Sequence, residues 1–125
     1  MEWTSAVNSA YDADINYTVG TTTCTIQIQL KDFAGNDLTV KGVIHFYIST
    51  DATGDVLGAV ASVASGTDGD ILEVLATGQY YMAISEDDGD IDLTVSGTAD
   101  GTEYLNVVLP NGKVVTSDAM VFTEI

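Results

Sequence analysis

The stretch QIQLKDFAGNDLTVKGVIHFYIS, Gln27 to Ser49, alternates, breaks at a glycine-containing turn, and alternates again. Extended back to Thr23, its first half reads TCTIQIQL. This places Cys24, Ile26, Ile28 and Leu30 on one face and Thr25, Gln27 and Gln29 on the other. Successive strand side chains point to opposite faces, so this period of two predicts a half-buried strand. Beyond the turn, VIHFYIS sends Ile44, Phe46 and Ile48 one way and Val43, His45 and Tyr47 the other. The expected core of this hairpin-like unit is Ile26, Ile28, Leu30, Ile44, Phe46 and Ile48.

The same reading extends outward along the chain. QYYMAIS groups Tyr80, Met82 and Ile84 on one face, with Tyr81 opposite. DIDLTVS turns Ile91, Leu93 and Val95 inward and Asp90, Asp92 and Thr94 outward. YLNVVLPNGKVVTSDAMVF reads as two strands joined at Pro110-Asn111-Gly112, residue types suited to a tight turn. Ile71 to Leu75 is a shorter strand candidate. In Val56 to Ser65, VLGAVASVAS, the Gly, Ser and Val content favours an edge strand or loop over a weak Ala-rich helix. No segment has convincing helical periodicity, and turn signals recur (AGN, ATGD, TDGD, ATG, DDGD, ADG, PNG). Short strands punctuated in this way predict an all-β domain, a single antiparallel β-sandwich of about seven to eight strands.

Composition bounds the rest. A chain of 125 residues, 46% apolar, fits one domain with an adequate core and is too hydrophobic to remain unfolded. No apolar run approaches the roughly 18 residues that span a bilayer, so membrane insertion is not expected. The opening MEWTSAVNSAYD lacks the basic and apolar regions of a Sec signal peptide. Nineteen acids stand against three lysines and no arginine, a formal net charge of −16. Phosphate backbones and anionic membrane surfaces repel such a chain, so nucleic acid is excluded as a partner.

Catalysis has little to work with. Cys24 sits in an alternating run and reads as a small core side chain. The only histidine, His45, lies on a strand face rather than in a loop, so a base for a nucleophile is hard to supply. The acids fall at turns, and no Gly-rich phosphate loop leads into a helix. The expectation is a protein without enzyme activity or cofactor. SEDDGDID, Ser85 to Asp92, offers clustered oxygens of the kind calcium takes, but the EF-hand spacing is not met. Solvated acidic turns are the expected reading, with weak calcium binding as the alternative.

Three places are candidates for recognition. The N-terminal segment, residues 1–20, precedes the sandwich proper of residues 21–125 and carries Trp3, Tyr11 and Tyr17 in a stretch of poor periodicity. Either Ala6 to Ala10 forms a first strand with Trp3 over one end of the sandwich, or the aromatics make a docking arm, since aromatics anchor interfaces. The loop Asp32 to Asp37, with Asp32, Gly35 and Asn36, is a turn first and a recognition tip second. His45, Tyr47 and Tyr81 lie opposite Phe46, Ile48 and Met82, as solvent-facing cross-strand neighbours or as a contact patch for a sugar or protein.

The unit IQIQLKDFAGNDLTVKGVIHFYIS resembles the strand, K-D-x-x-G-N, strand hairpin of bacterial Ig-like domains of the invasin type. Asp32, Gly35 and Asn36 match that pattern; Asp37 stands where the family usually has proline. The order that follows, TDATGD, GTDGD, DDGDIDLTVSG and the closing YLNVVLPNGKVVTSDAMVF hairpin, resembles small Ig-like structural proteins of tailed bacteriophages. The likeness runs from about Thr23 to Thr123. It implies an Ig-like sandwich and a virion role, such as capsid decoration, with the major capsid protein or another virion protein as partner. It also implies assembly in the host cytoplasm, a final place on the capsid exterior, and a possible homo-oligomer. The alternative is an adhesin or receptor-binding module that recognises a host-surface glycan or protein.

Overall fold

The computed structural model describes residues 9–125, so Trp3 and residues 6–8 of the Ala6–Ala10 strand candidate lie outside the described residues. Ten strands follow one another, and no helix occurs among the described residues. They are β1 (Asp12–Val19), β2 (Thr23–Lys31), β3 (Val43–Ser49), β4 (Ser62–Ser65), β5 (Asp70–Ala76), β6 (Tyr80–Ile84), β7 (Asp90–Ser96), β8 (Gly101–Val108), β9 (Val114–Thr116) and β10 (Met120–Phe122). Two antiparallel sheets pack face to face. The first has the order β1-β2-β7-β4; the second has the order β10-β8-β3-β6-β5, with β9 also on β8.

The alternating pattern of the hairpin-like unit becomes the two inner walls, but its two strands do not pair with each other. β2 joins β1 and β7 in the first sheet, while β3 joins β6 and β8 in the second. The turn therefore carries the chain across the sandwich. Cys24, Ile26, Ile28 and Leu30 of β2 face Ile44, Phe46 and Ile48 of β3 through one core that also takes Ile91, Leu93, Val95, Leu105, Val107, Met120 and Phe122. Burial pushes the Cys24 thiol up to about 11, which keeps it protonated and unreactive at neutral pH.

The strand count exceeds the expected seven to eight for identifiable reasons. VVTSDAMVF is split into β9 and β10, which run along one flank of β8 one residue out of register. At the break the Ser117 hydroxyl accepts the Leu105 N–H at 3.0 Å, while the Ser117 N–H donates to the Leu105 carbonyl at 2.8 Å. A side chain thus takes over one rung of the ladder. Of VLGAVASVAS, only Ser62–Ser65 is a strand. β1 lies within the N-terminal segment and pairs with β2 from Asp12 opposite Lys31 to Val19 opposite Cys24. Ala13 is the fully buried residue of β1.

Tyr81 corrects the reading of QYYMAIS. It is 1% exposed rather than solvent-facing, and Ala83 beside it is 0% exposed, whereas Tyr80 points outward. The Tyr81 ring stacks on Phe46, centroids 5.0 Å apart and planes 10° from parallel. Its hydroxyl oxygen accepts two buried backbone N–H groups, from Gly78 at 2.6 Å and from Val63 at 3.2 Å. Val63 belongs to edge strand β4 of the opposite sheet, so one side chain spans the core and ties the two sheets together. A Cβ at Gly78, whose φ is +73°, would lie 1.9 Å from the Val60 carbonyl oxygen, so the turn under Tyr81 requires glycine.

Replacing Tyr81 with Phe keeps the ring and strands both N–H groups. Each buried donor left unpaired costs about 1–3 kcal/mol. The expected outcome in urea unfolding is a loss of about 2–3 kcal/mol with an unchanged m-value.

Candidate functional site

The sequence candidates separate onto two ends of the first sheet. Tyr11, immediately before β1, meets the Asp32 loop: its N–H donates to the Lys31 carbonyl at 2.8 Å, and its ring packs edge-on against Phe33 with centroids 5.5 Å apart. Asn111 Nδ2 donates to the Tyr11 carbonyl at 3.1 Å, bringing the Pro110-Asn111-Gly112 turn to the same place. Tyr17 lies six residues along, about 20 Å away at strand rise, and packs against the core opposite Ile26. The two tyrosines therefore do not share a surface.

Asp32 is a structural turn residue. It is 9% exposed, and its Oδ1 accepts the N–H groups of Ala34 at 2.9 Å and Asn36 at 3.0 Å. The Gly35 N–H donates to the Asp32 carbonyl, and Lys31 Nζ pairs with Asp37. An Asx-turn of this kind uses its carboxylate internally. Phe33, 68% exposed, is what the loop presents outward.

The acidic run Ser85–Asp92 is likewise a turn. The Glu86 N–H donates to the Asp90 carbonyl and the Gly89 N–H returns to Glu86, while Gln29 Nε2 reaches the Asp88 carbonyl at 2.8 Å. Asp68, Asp90 and Asp92 line a shallow cavity of about 200 Å³ with Asn16, Gln27 and Gln29. Partial burial, then mutual repulsion, raises Asp68 and Asp90 above the ordinary aspartate value. Among the described residues, no group of three or more His, Cys, Asp or Glu side chains is arranged to hold a metal ion.

A more built-up site occupies the outer face of the second sheet, which the sequence signalled only through His45 and Tyr47. After β3 the chain turns through Asp51–Val56 and folds back over that face. Asp51 organises the turn: Oδ1 accepts the N–H groups of Asp55 at 3.0 Å and Val56 at 2.9 Å, and Oδ2 accepts the Thr53 hydroxyl. The Thr53 hydroxyl first, then these backbone bonds, hold Asp51 down at about 2. The Tyr47 hydroxyl donates to the Gly54 carbonyl at 2.8 Å. Gly54 has a φ of +74°, and a Cβ there would lie 2.6 Å from Asn106 Oδ1 and 2.7 Å from the Tyr47 hydroxyl. Only glycine allows the loop to close so tightly.

Under this loop Asn106 is fully buried, although its strand position points away from the core. Its Nδ2 donates to Ser49 Oγ at 2.9 Å and to the Tyr47 carbonyl at 3.2 Å, and its Oδ1 accepts the Thr116 hydroxyl at 2.8 Å. One amide fastens β3, β8 and β9 and seats the loop. Nothing in YLNVV distinguishes this asparagine from a solvent-facing one. Beside the loop, Tyr47, Leu57, Ala76, Gln79, Tyr80 and Val108 line a cleft of about 470 Å³ with Gly54 at its rim. Tyr80 Oη lies 2.6 Å from His45 Nδ1.

Compared with known proteins, the chain matches no family model, no curated protein and no solved structure.

Replacing Asn106 with Leu removes three hydrogen bonds and leaves Ser49 and Thr116 hydroxyls without this partner. The expected loss is about 2 kcal/mol, with faster amide exchange at Gly54–Val56 as the mark of a released loop.

The carboxylates also set a pH dependence. Asp68 and Asp90 are raised, as is Glu103, which is partly desolvated and whose Oε2 is enclosed without a hydrogen-bond partner among the described residues. Raised groups favour folding when protonated, and that contribution is lost as pH rises from the ordinary values of 3.8 and 4.5 through the folded ones. Asp51 is lowered, so its contribution is present above 3.8 and disappears as pH falls through about 2. Thermal melts should therefore show Tm rising as pH falls from 7 toward about 4 and collapsing toward about 2. Asp68→Asn should flatten the upper limb and Asp51→Asn the lower.

Proposed function

We propose that this chain is a non-enzymatic structural module of a tailed-phage virion, an Ig-like β-sandwich that decorates the outer capsid surface. The observation that carries the proposal is the ordered set of motifs from Thr23 to Thr123, which resembles small Ig-like phage structural proteins. The two-sheet sandwich is compatible with that family's frame. The charge supports an outward position, because a chain of −16 is repelled by packaged DNA and disperses in solvent. The partner is the major capsid protein or another virion protein. Tyr11, Phe33 and Asn111, which lie together at one end of the first sheet, are the residues we propose to dock.

The test is co-sedimentation of the purified protein with tailed-phage heads that lack it, imaged by electron microscopy. Regular density at symmetry-related positions on the shell is the expected result. Absence from heads together with binding to host cells or glycans would replace the proposal with a receptor-binding module.

A further inference from the structure

We propose that the cleft between the Asp51–Val56 loop and the β5–β6 turn receives a lysine or arginine side chain from a protein partner. This inference does not depend on the virion reading, since it concerns only the chemistry the cleft recognises. Its volume, about 470 Å³, lies in the range of roughly 300–1,000 Å³ that holds a small ligand or an anchoring side chain.

The walls are preformed. Tyr47 is held through its hydroxyl by the Gly54 carbonyl, and Tyr80 is held through its hydroxyl by His45, whose ring packs edge-on against it at 5.5 Å. With both hydroxyls engaged, the tyrosines contribute chiefly ring surface. Leu57, Ala76 and Val108 add apolar surface, and Leu57 is 76% exposed at the rim. The Gln79 amide is the remaining polar side chain of the lining. A sugar, with a hydroxyl on nearly every carbon, would leave most of them unpaired here.

The rim then selects charge. Gly54, which lines the cleft, sits between Asp51 and Asp55. The Asp51 carboxylate is spent on the turn, while the exposed Asp55 carboxylate, among the described residues, meets only the Thr53 hydroxyl at 3.1 Å. Both carboxylates act on Tyr47, which burial first and then their charges raise above the ordinary tyrosine value. An anion is repelled at this rim. A lysine or arginine fits throughout: its aliphatic stem covers Leu57 and Val108, and its head lies against tyrosine rings and Asp55. A second copy of this chain is a poor source, because it brings a like charge of −16, and of its three lysines Lys31 and Lys113 are paired with aspartates, which leaves only Lys41 exposed and outside an ion pair among the described residues.

The experiment is a chemical-shift titration of the ¹⁵N-labelled protein with the blocked tripeptide acetyl-Gly-Lys-Gly-amide and its norleucine and glutamate counterparts. Saturable shifts at Tyr47, Gly54, Leu57, Gln79 and Tyr80 with the lysine peptide alone are expected. Asp55→Asn and Leu57→Ser, both at exposed positions, should each weaken binding about fivefold, the scale of an exposed ionic or apolar contact. General attraction to an anionic protein would lose little from one charge among many and would spread its shifts over the Asp87–Asp90 turn. That pattern would overturn the proposal, as would equal binding of the norleucine peptide or no saturable shift.

Discussion

The sandwich depends on Tyr81. Two sheets that meet only through aliphatic side chains can slide, because the hydrophobic effect has no direction. Tyr81 supplies direction. Its ring is stacked on Phe46 within its own sheet, and its oxygen accepts from Val63 in the other, so a directional bond ties the layers together at this residue. The second bond, from Gly78, fixes the β5–β6 turn over which residues 57–61 cross from one sheet to the other; the Val60 N–H completes that crossing on the Gly78 carbonyl at 2.9 Å.

The outer face of the second sheet is organised by the opposite means, with polar rather than aromatic contacts. A loop that lies on a sheet must satisfy the backbone groups it covers. Asn106 does this for the Tyr47 carbonyl, adds bonds to the Ser49 and Thr116 hydroxyls, and becomes a buried polar group on a face that would otherwise be wet. The Asp51 turn rests on it, and the cleft is the space left between that turn and the end of β6. Beyond the cleft, β5 forms a sheet edge with two bulges, between Ile71 and Glu73 and between Val74 and Ala76. Bulges bend an edge strand away from regular pairing, which protects an edge that leaves Leu72, Val74 and Leu75 half exposed.

The candidate site was less legible than the fold. Asp32 announced its loop correctly as a turn, and His45 and Tyr47 lay on the face that carries the cleft. Leu57, Gln79, Tyr80 and Asn106 carried no local signal, since each acquires its role from a segment distant in the chain. The Nδ2 of Asn106 reaches Ser49, 57 residues earlier, and Tyr80 meets His45, 35 residues earlier. Tyr81 was misread because QYYMAIS offers apolar residues on both faces, and alternation alone does not say which face turns inward.

By itself the sequence determined the strand pattern, the all-β class and most of the core, because period two over TCTIQIQL, VIHFYIS and DIDLTVS is a local property of the extended chain. It also determined the formal net charge of −16, which repels phosphate backbones. Tertiary structure alone decided which strands pair, that β2 and β3 lie in different sheets, and that VVTSDAMVF breaks at Ser117. It also turned Tyr81 inward and Tyr80 outward, and it placed a loop over Asn106. These depend on register and on contacts across the core, whose energies belong to pairs of residues far apart in the chain rather than to any one stretch of it.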